Sequence, residues 1–197
     1  MDLKKLENKI NIIKNKLRVG KSDEVIQDAK LLIKKFSDQQ ILYNILSLAY
    51  QQKGENDKSI DLLTNALKKN PKNIFFLNNM GVSYYNKKNL VEAEYYFKRV
   101  LEINPNYINA LNNLGNLKKD LDLVDEAKNF YKKSIKLNDN VMETHYNLGL
   151  LYQQSGNFEK SLYHYKKTLE INPKFAKADH DIAMMTKYSF KNKHFLD

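Results

Sequence analysis

The residues able to do chemistry are few, and their spacing says more than their type. Four histidines stand at 145, 164, 180 and 194. None sits in an HExxH or a Ser/His/Asp spacing, no phosphate loop occurs, and cysteine is absent. Catalysis therefore has no constellation to start from, no metal site is indicated and no cofactor is called for. Two other sets recur. Asn79, Asn113 and Asn147 lie 34 residues apart, as do the pairs Lys98-Arg99, Lys132-Lys133 and Lys166-Lys167. A carboxamide offers both donor and acceptor, so a row of them can bond the backbone of an extended peptide without reading its side chains. A row of cations can meet nucleic acid or anionic lipid.

Composition bounds what can position these groups. The 197 residues are 42% hydrophobic, enough for a core, with only 6 Gly and 3 Pro to interrupt helices. The absence of Cys excludes disulfides and fits a reducing compartment. The first residues, MDLKKLENKINIIKNKL, carry charges too often for a signal peptide, and no window approaches a membrane span. The expected location is cytoplasmic. The net charge of +10 favours acidic partners, although Lys, Asn and Ile are abundant together, a bias that A/T-rich codons produce by themselves.

Gly81, Gly115 and Gly149 share the 34-residue interval. Gly20, Gly54 and Gly156 fall on a second position of that period, seven residues later, and Pro71, Pro105 and Pro173 on a third. Residues 74–107, 108–141 and 142–175 thus form three units, with 40–73 in the same register and 6–39 weakly so. Within 74–107 the pattern is Leu77, Met80, Gly81, Tyr84, then Ala93, Phe97 and Pro105; within 142–175 it is His145, Leu148, Gly149, Tyr152, then Ser161, Tyr165 and Pro173. Asp139 stands where the proline of 108–141 belongs. Apolar residues at three- and four-residue steps predict two helices per unit. A glycine inside a helix implies a close neighbour, and the facing second-helix position is also small: Ser59, Ala93, Ala127, Ser161.

These residues resemble the tetratricopeptide repeat, whose signature is an aromatic, Leu-Gly, Tyr, Ala, an aromatic and Pro in 34 residues. Tryptophan at the first aromatic position is missing throughout. The resemblance implies an all-α fold, a right-handed α-solenoid of stacked helix-turn-helix units. The expected organisation is a cap-like helical pair over 1–39, four units over 40–175, a capping helix over 176–188 and a tail over 189–197.

In this family the first helices line a concave groove. By that geometry the groove holds Asn44, Leu48 and Gln51, then Phe75, Asn78, Val82 and Tyr85. Asn109, Asn112, Asn116 and Lys119 follow, and then Glu143, Tyr146, Leu150 and Gln153. Asn79, Asn113 and Asn147 become a ladder along it, similar to the asparagine ladder of O-linked N-acetylglucosamine transferases. The resemblance implies a non-catalytic interaction scaffold for a peptide or protein partner. The clamp that related repeats build for acidic chaperone tails is not expected, because Asn, Leu and Glu143 stand where it needs cations.

Two alternatives stay open. The stretch AKADHDIAMMTKYSFKNKHFLD, with His180, Thr186-Lys187-Tyr188 and His194, resembles the junction that follows such repeats in bacterial proteins with a sulfotransferase-like domain. The chain would then be the recognition array of a larger transferase. The Lys pairs could instead form a basic stripe for nucleic acid or an anionic surface, or simply a solvated face. His145 is expected in the core and His164 at the surface. The sequence does not indicate an oligomeric state.

Overall fold

The structure, a computed structural model, describes residues 3–193, with side chains over 4–185. The side chains of Thr186, Lys187 and Tyr188, and all of His194, lie outside the described residues. Eleven α-helices and no strand occur among the described residues. They are α1 (Leu3–Arg18), α2 (Ser22–Lys35), α3 (Gln40–Gln52), α4 (Asn56–Lys69), α5 (Ile74–Asn86) and α6 (Leu90–Ile103). The rest are α7 (Ile108–Asp120), α8 (Val124–Leu137), α9 (Met142–Gln154), α10 (Phe158–Ile171) and α11 (Ala176–Lys193). From α3 to α10 the lengths alternate between 13 and 14 residues. The fold is the all-α solenoid class.

The chain divides into two compact units, Met1–Pro105 and Asn106–Asp197. In the first, α1 and α2 close on α3 through Leu6, Ile10, Ile13, Val25, Leu32 and Leu42. Lys16 joins Glu24 at 3.0 Å and Asp28 at 2.8 Å, so the helical pair is tied at its turn end as well. In the same unit α4 packs on α5 through Leu63, Ala66, Phe76 and Met80. In the second, Ala127 and Tyr131 of α8 meet Leu148, Leu151 and Tyr152 of α9, and α11 packs on α10.

The helical glycines are explained by rings. A Cβ on Gly81 would lie 2.5 Å from Phe97 Cε1, and one on Gly149 would lie 2.5 Å from Tyr165 Cδ1; Tyr131 presses on Gly115 in the same way. The aromatic one turn beyond the small second-helix residue, as much as that residue itself, requires the glycine. The small residue also takes part: Ser161 Oγ donates to the Gly149 carbonyl at 2.8 Å. The unit without the glycine supports this reading. Position 47 is Ser, and its partner at 63 is Leu rather than a ring; both are fully buried.

The turns between paired helices share one backbone solution. Gly20, Gly54 and Gly156 have φ of +79°, +74° and +71°, and Lys88 and Asp122 take +64° and +58° at the same repeat position. The following residue donates to the carbonyl five back, as Glu55 does to Tyr50 at 2.9 Å and Asn89 to Tyr84 at 3.0 Å, closing a Schellman-type end. A lysine in the left-handed region is strained by about 1 kcal/mol or more.

Two outcomes follow from these contacts. Gly81→Ser destabilises the protein by about 1–3 kcal/mol through overpacking, and adding Phe97→Leu recovers part of the loss; urea unfolding measures both. Lys88→Gly raises stability by about 0.5–1 kcal/mol, read as a higher denaturation midpoint with an unchanged slope.

Candidate functional site: the first-helix faces

In the first unit the outward side of α3 and α5 mixes exposed apolar residues with a closed polar network. Phe75 and Leu48 are 52% and 38% exposed, and Val82 and Tyr85 are half-buried. Phe75, Asn78, Val82 and Tyr85 follow i, i+3, i+7, i+10 and so share one stripe of α5. Asn79, expected to face a ligand, is only 7% exposed, and Asn78 is 6% exposed. The Asn79 amide donates to Asn44 Oδ1 at 3.0 Å and to Ser47 Oγ at 3.2 Å on the preceding first helix. Gln51 donates back to the Asn79 carbonyl at 2.8 Å and to Ser83 Oγ at 2.9 Å. Ser83 in turn donates to Ser59 Oγ at 2.8 Å. Asn79, Ser47, Ser83 and Ser59 are buried between helices, so each needs its partner: leaving one unpaired costs about 1–3 kcal/mol.

The second unit repeats the design with different residues. Asn147 donates to Asn116 Oδ1 at 3.0 Å, and its own Oδ1 accepts from Lys119 Nζ at 3.1 Å. Asn116 also accepts from Tyr131 OH at 2.6 Å, and Asn112 accepts from Thr144 Oγ1 at 2.9 Å. Tyr146 donates to Asp181 of α11 at 3.0 Å; burial and that carboxylate push its phenol up to about 12. Gln153 accepts from Tyr165 OH at 2.6 Å. Asn109 and Glu143 are exposed, and Asn113 and Leu150 half-buried. Tyr146–Asp181 occupies the two repeat positions that hold Asn44–Asn79 in the first unit. The sequence shows the period but not this use of it, because a hydrogen bond across helices 31–35 residues apart leaves no local signature. Asp181, at the asparagine position of α11, is the member that a search for asparagines misses.

The tetratricopeptide repeat models match residues 74–107 and 143–175 in one form and 41–73 and 108–141 in another. The chain belongs to the tetratricopeptide repeat family. Among solved structures, this repeat protein is similar to TTC0263, a tetratricopeptide repeat protein of Thermus thermophilus, at 18% identity and a TM-score of 0.78 over 90% of this chain and 97% of that one. It is also similar to MamA at 21% identity and 0.65 over 90% and 98%. A third is YrrB, described as having an unusual peptide-binding site, at 20% identity and 0.62 over 89% and 90%. At such identities the likeness is one of fold. No curated protein matches significantly.

Within the Lys pairs, Lys98 bonds Glu94 at 2.7 Å and Lys167 bonds Glu170 at 2.7 Å, while Arg99 lies over the Tyr95 ring. Part of the basic charge is thus already met on its own helix. Among the described residues no group of three or more His, Asp or Glu could hold a metal, and no helix is long and apolar enough to cross a membrane.

His164, expected at the surface, is 8% exposed. It takes the repeat position of Tyr96, which stacks on Tyr84 at 5.6 Å, and it stacks in the same way on Tyr152 at 5.5 Å. Its Nδ1 lies 3.0 Å from Nδ1 of the fully buried His145. His145 Nε2 faces the Asp139 carbonyl at 2.9 Å and its carboxylate at 3.2 Å. Both are acceptors, so Nε2 carries a hydrogen. Asp139, in place of the usual proline, is therefore the partner that the histidine at the packing position needs.

Burial, and next the neighbouring His145, lower the His164 pKa from 6.5 to about 4, with Asp139 opposing and Lys132 adding to the shift. A folded-state pKa below the unfolded value means that the unfolded chain binds more protons between these limits. Stability is then complete above about pH 6.5 and is lost as pH falls towards 4, by up to about 3 kcal/mol. The double substitution His145→Leu with His164→Phe, which copies Leu111 and Phe130, removes most of this slope in urea melts at pH 7 and 4.5.

Proposed function

We propose that this chain is a non-catalytic interaction module that takes an extended segment of a partner protein against its first helices. The observation that carries this is the exposed Phe75 of α5, 52% exposed, with half-buried Val82 and Tyr85 on the same helix and Leu48 of α3 beside it, held by a polar network that joins both helices. In this reading Asn79 and Asn147 work mainly as braces that set the spacing of the first helices. The unusual peptide-binding site for which YrrB is described supports the same class of ligand.

A peptide library displayed on phage and selected against the whole chain tests this. We expect enriched sequences whose binding weakens at least about tenfold with Phe75→Ser, the loss of one aromatic anchor. Val91→Ser, on α6 and 79% exposed, leaves it unchanged. A selection that enriches nothing, or ligands that ignore Phe75 and need Val91, contradict the reading.

A further inference from the structure

In the first unit, between α2 and α4 and floored in part by α3, lies an open groove of about 640 Å³. Its floor is Ile33, Leu46, Tyr50 and Leu62, and Leu31, 59% exposed, forms one wall. Lys30, Lys34 and Lys58 stand at the rim, and no carboxylate lines it. Lys58 is paired with Glu55 at 3.0 Å. Among the described residues Lys30 and Lys34 enter no salt bridge, and Lys30 instead lies 5.7 Å from the Tyr50 ring centroid.

The repeat explains the opening. Leu62 shares its repeat position with Tyr96 and His164. Those rings stack on Tyr84 and Tyr152 with interplanar angles of 7° and 3°. Tyr50 is the counterpart of Tyr84 and Tyr152, but a leucine stands where its ring partner would be. The setting is otherwise kept: Lys30 and Lys58 approach Tyr50 as Lys132 and Lys160 approach Tyr152. One repeat thus keeps the aromatic and its lysines while lacking the ring that fills the space elsewhere.

We propose that this groove docks an acidic peptide segment, of a partner protein, that presents one aromatic side chain between carboxylates. The side chain supplies the missing ring and the carboxylates meet Lys30 and Lys34. The groove is open to water, so an acyl chain of a free lipid would remain partly wetted, whereas a partner protein brings its own surface to close it. A second copy of the chain is a poor occupant, because each copy carries a net +10. This groove shares none of the residues Leu48, Phe75, Val82 and Tyr85 of the surface proposed above.

The chain has no tryptophan, so a short synthetic peptide with one tryptophan flanked by glutamates reports its own environment. Titrating the full chain should blue-shift that fluorescence. Leu62→Tyr, which copies Tyr96, should abolish the shift. Lys30→Glu with Lys34→Glu should weaken binding at least about tenfold even if the tyrosine variant does not fold. Phe75→Ser should leave it unchanged, which separates this surface from the one proposed above. No shift, a shift that survives both groove variants, or an equal shift with lysines in place of the glutamates overturns the proposal. So does laurate binding, or self-association in sedimentation, that Leu62→Tyr abolishes without any peptide effect.

Discussion

The contact on which the structure depends is an aromatic ring pressed against a helical glycine. Phe97 on Gly81, Tyr131 on Gly115 and Tyr165 on Gly149 bring paired helices closer than a Cβ allows. That distance sets how far the next residues project. Because the rings are 0–1% exposed, each contact is also the apolar centre of its unit, where burial contributes most. Once the pair is fixed, neighbouring first helices within each unit come into contact, and polar side chains of one can reach the next.

That reach gives the asparagines their role. A carboxamide taken out of water between helices needs partners: the buried Asn79 finds Asn44 and Ser47, and the half-buried Asn147 finds Asn116 and Lys119. Such a network is directional. Sliding one helix by a turn would break several bonds together, which apolar packing alone resists weakly. In the proposed function, the exposed apolar residues beside it, Phe75 above all, sit on a support that the network orders, and binding loses less entropy when its surface is already ordered.

The period makes much of this legible. Gly81, Pro105 and Phe97 announce their roles because glycine, proline and large rings each have few reasons to recur. The left-handed turn at Lys88 and Asp122 is hidden, since lysine disfavours φ near +60°, aspartate tolerates it without requiring it, and only the frame of Gly20, Gly54 and Gly156 exposes it. His164 looks like a surface residue in the sequence because a histidine at a ring position is polar. Its stacking on Tyr152 and its bond to His145 depend on residues 12 and 19 positions away. Asparagines at a repeated position give no sign of whether they face a ligand or a neighbouring helix, because the carboxamide suits both.

A double-mutant cycle across Asn44 and Asn79 tests the central claim most directly. Asn44→Ala and Asn79→Ala, measured singly and together by urea unfolding, should be coupled by about 0.5–3 kcal/mol. Strict additivity, with each change near zero, would contradict the claim and return Asn79 to the ligand.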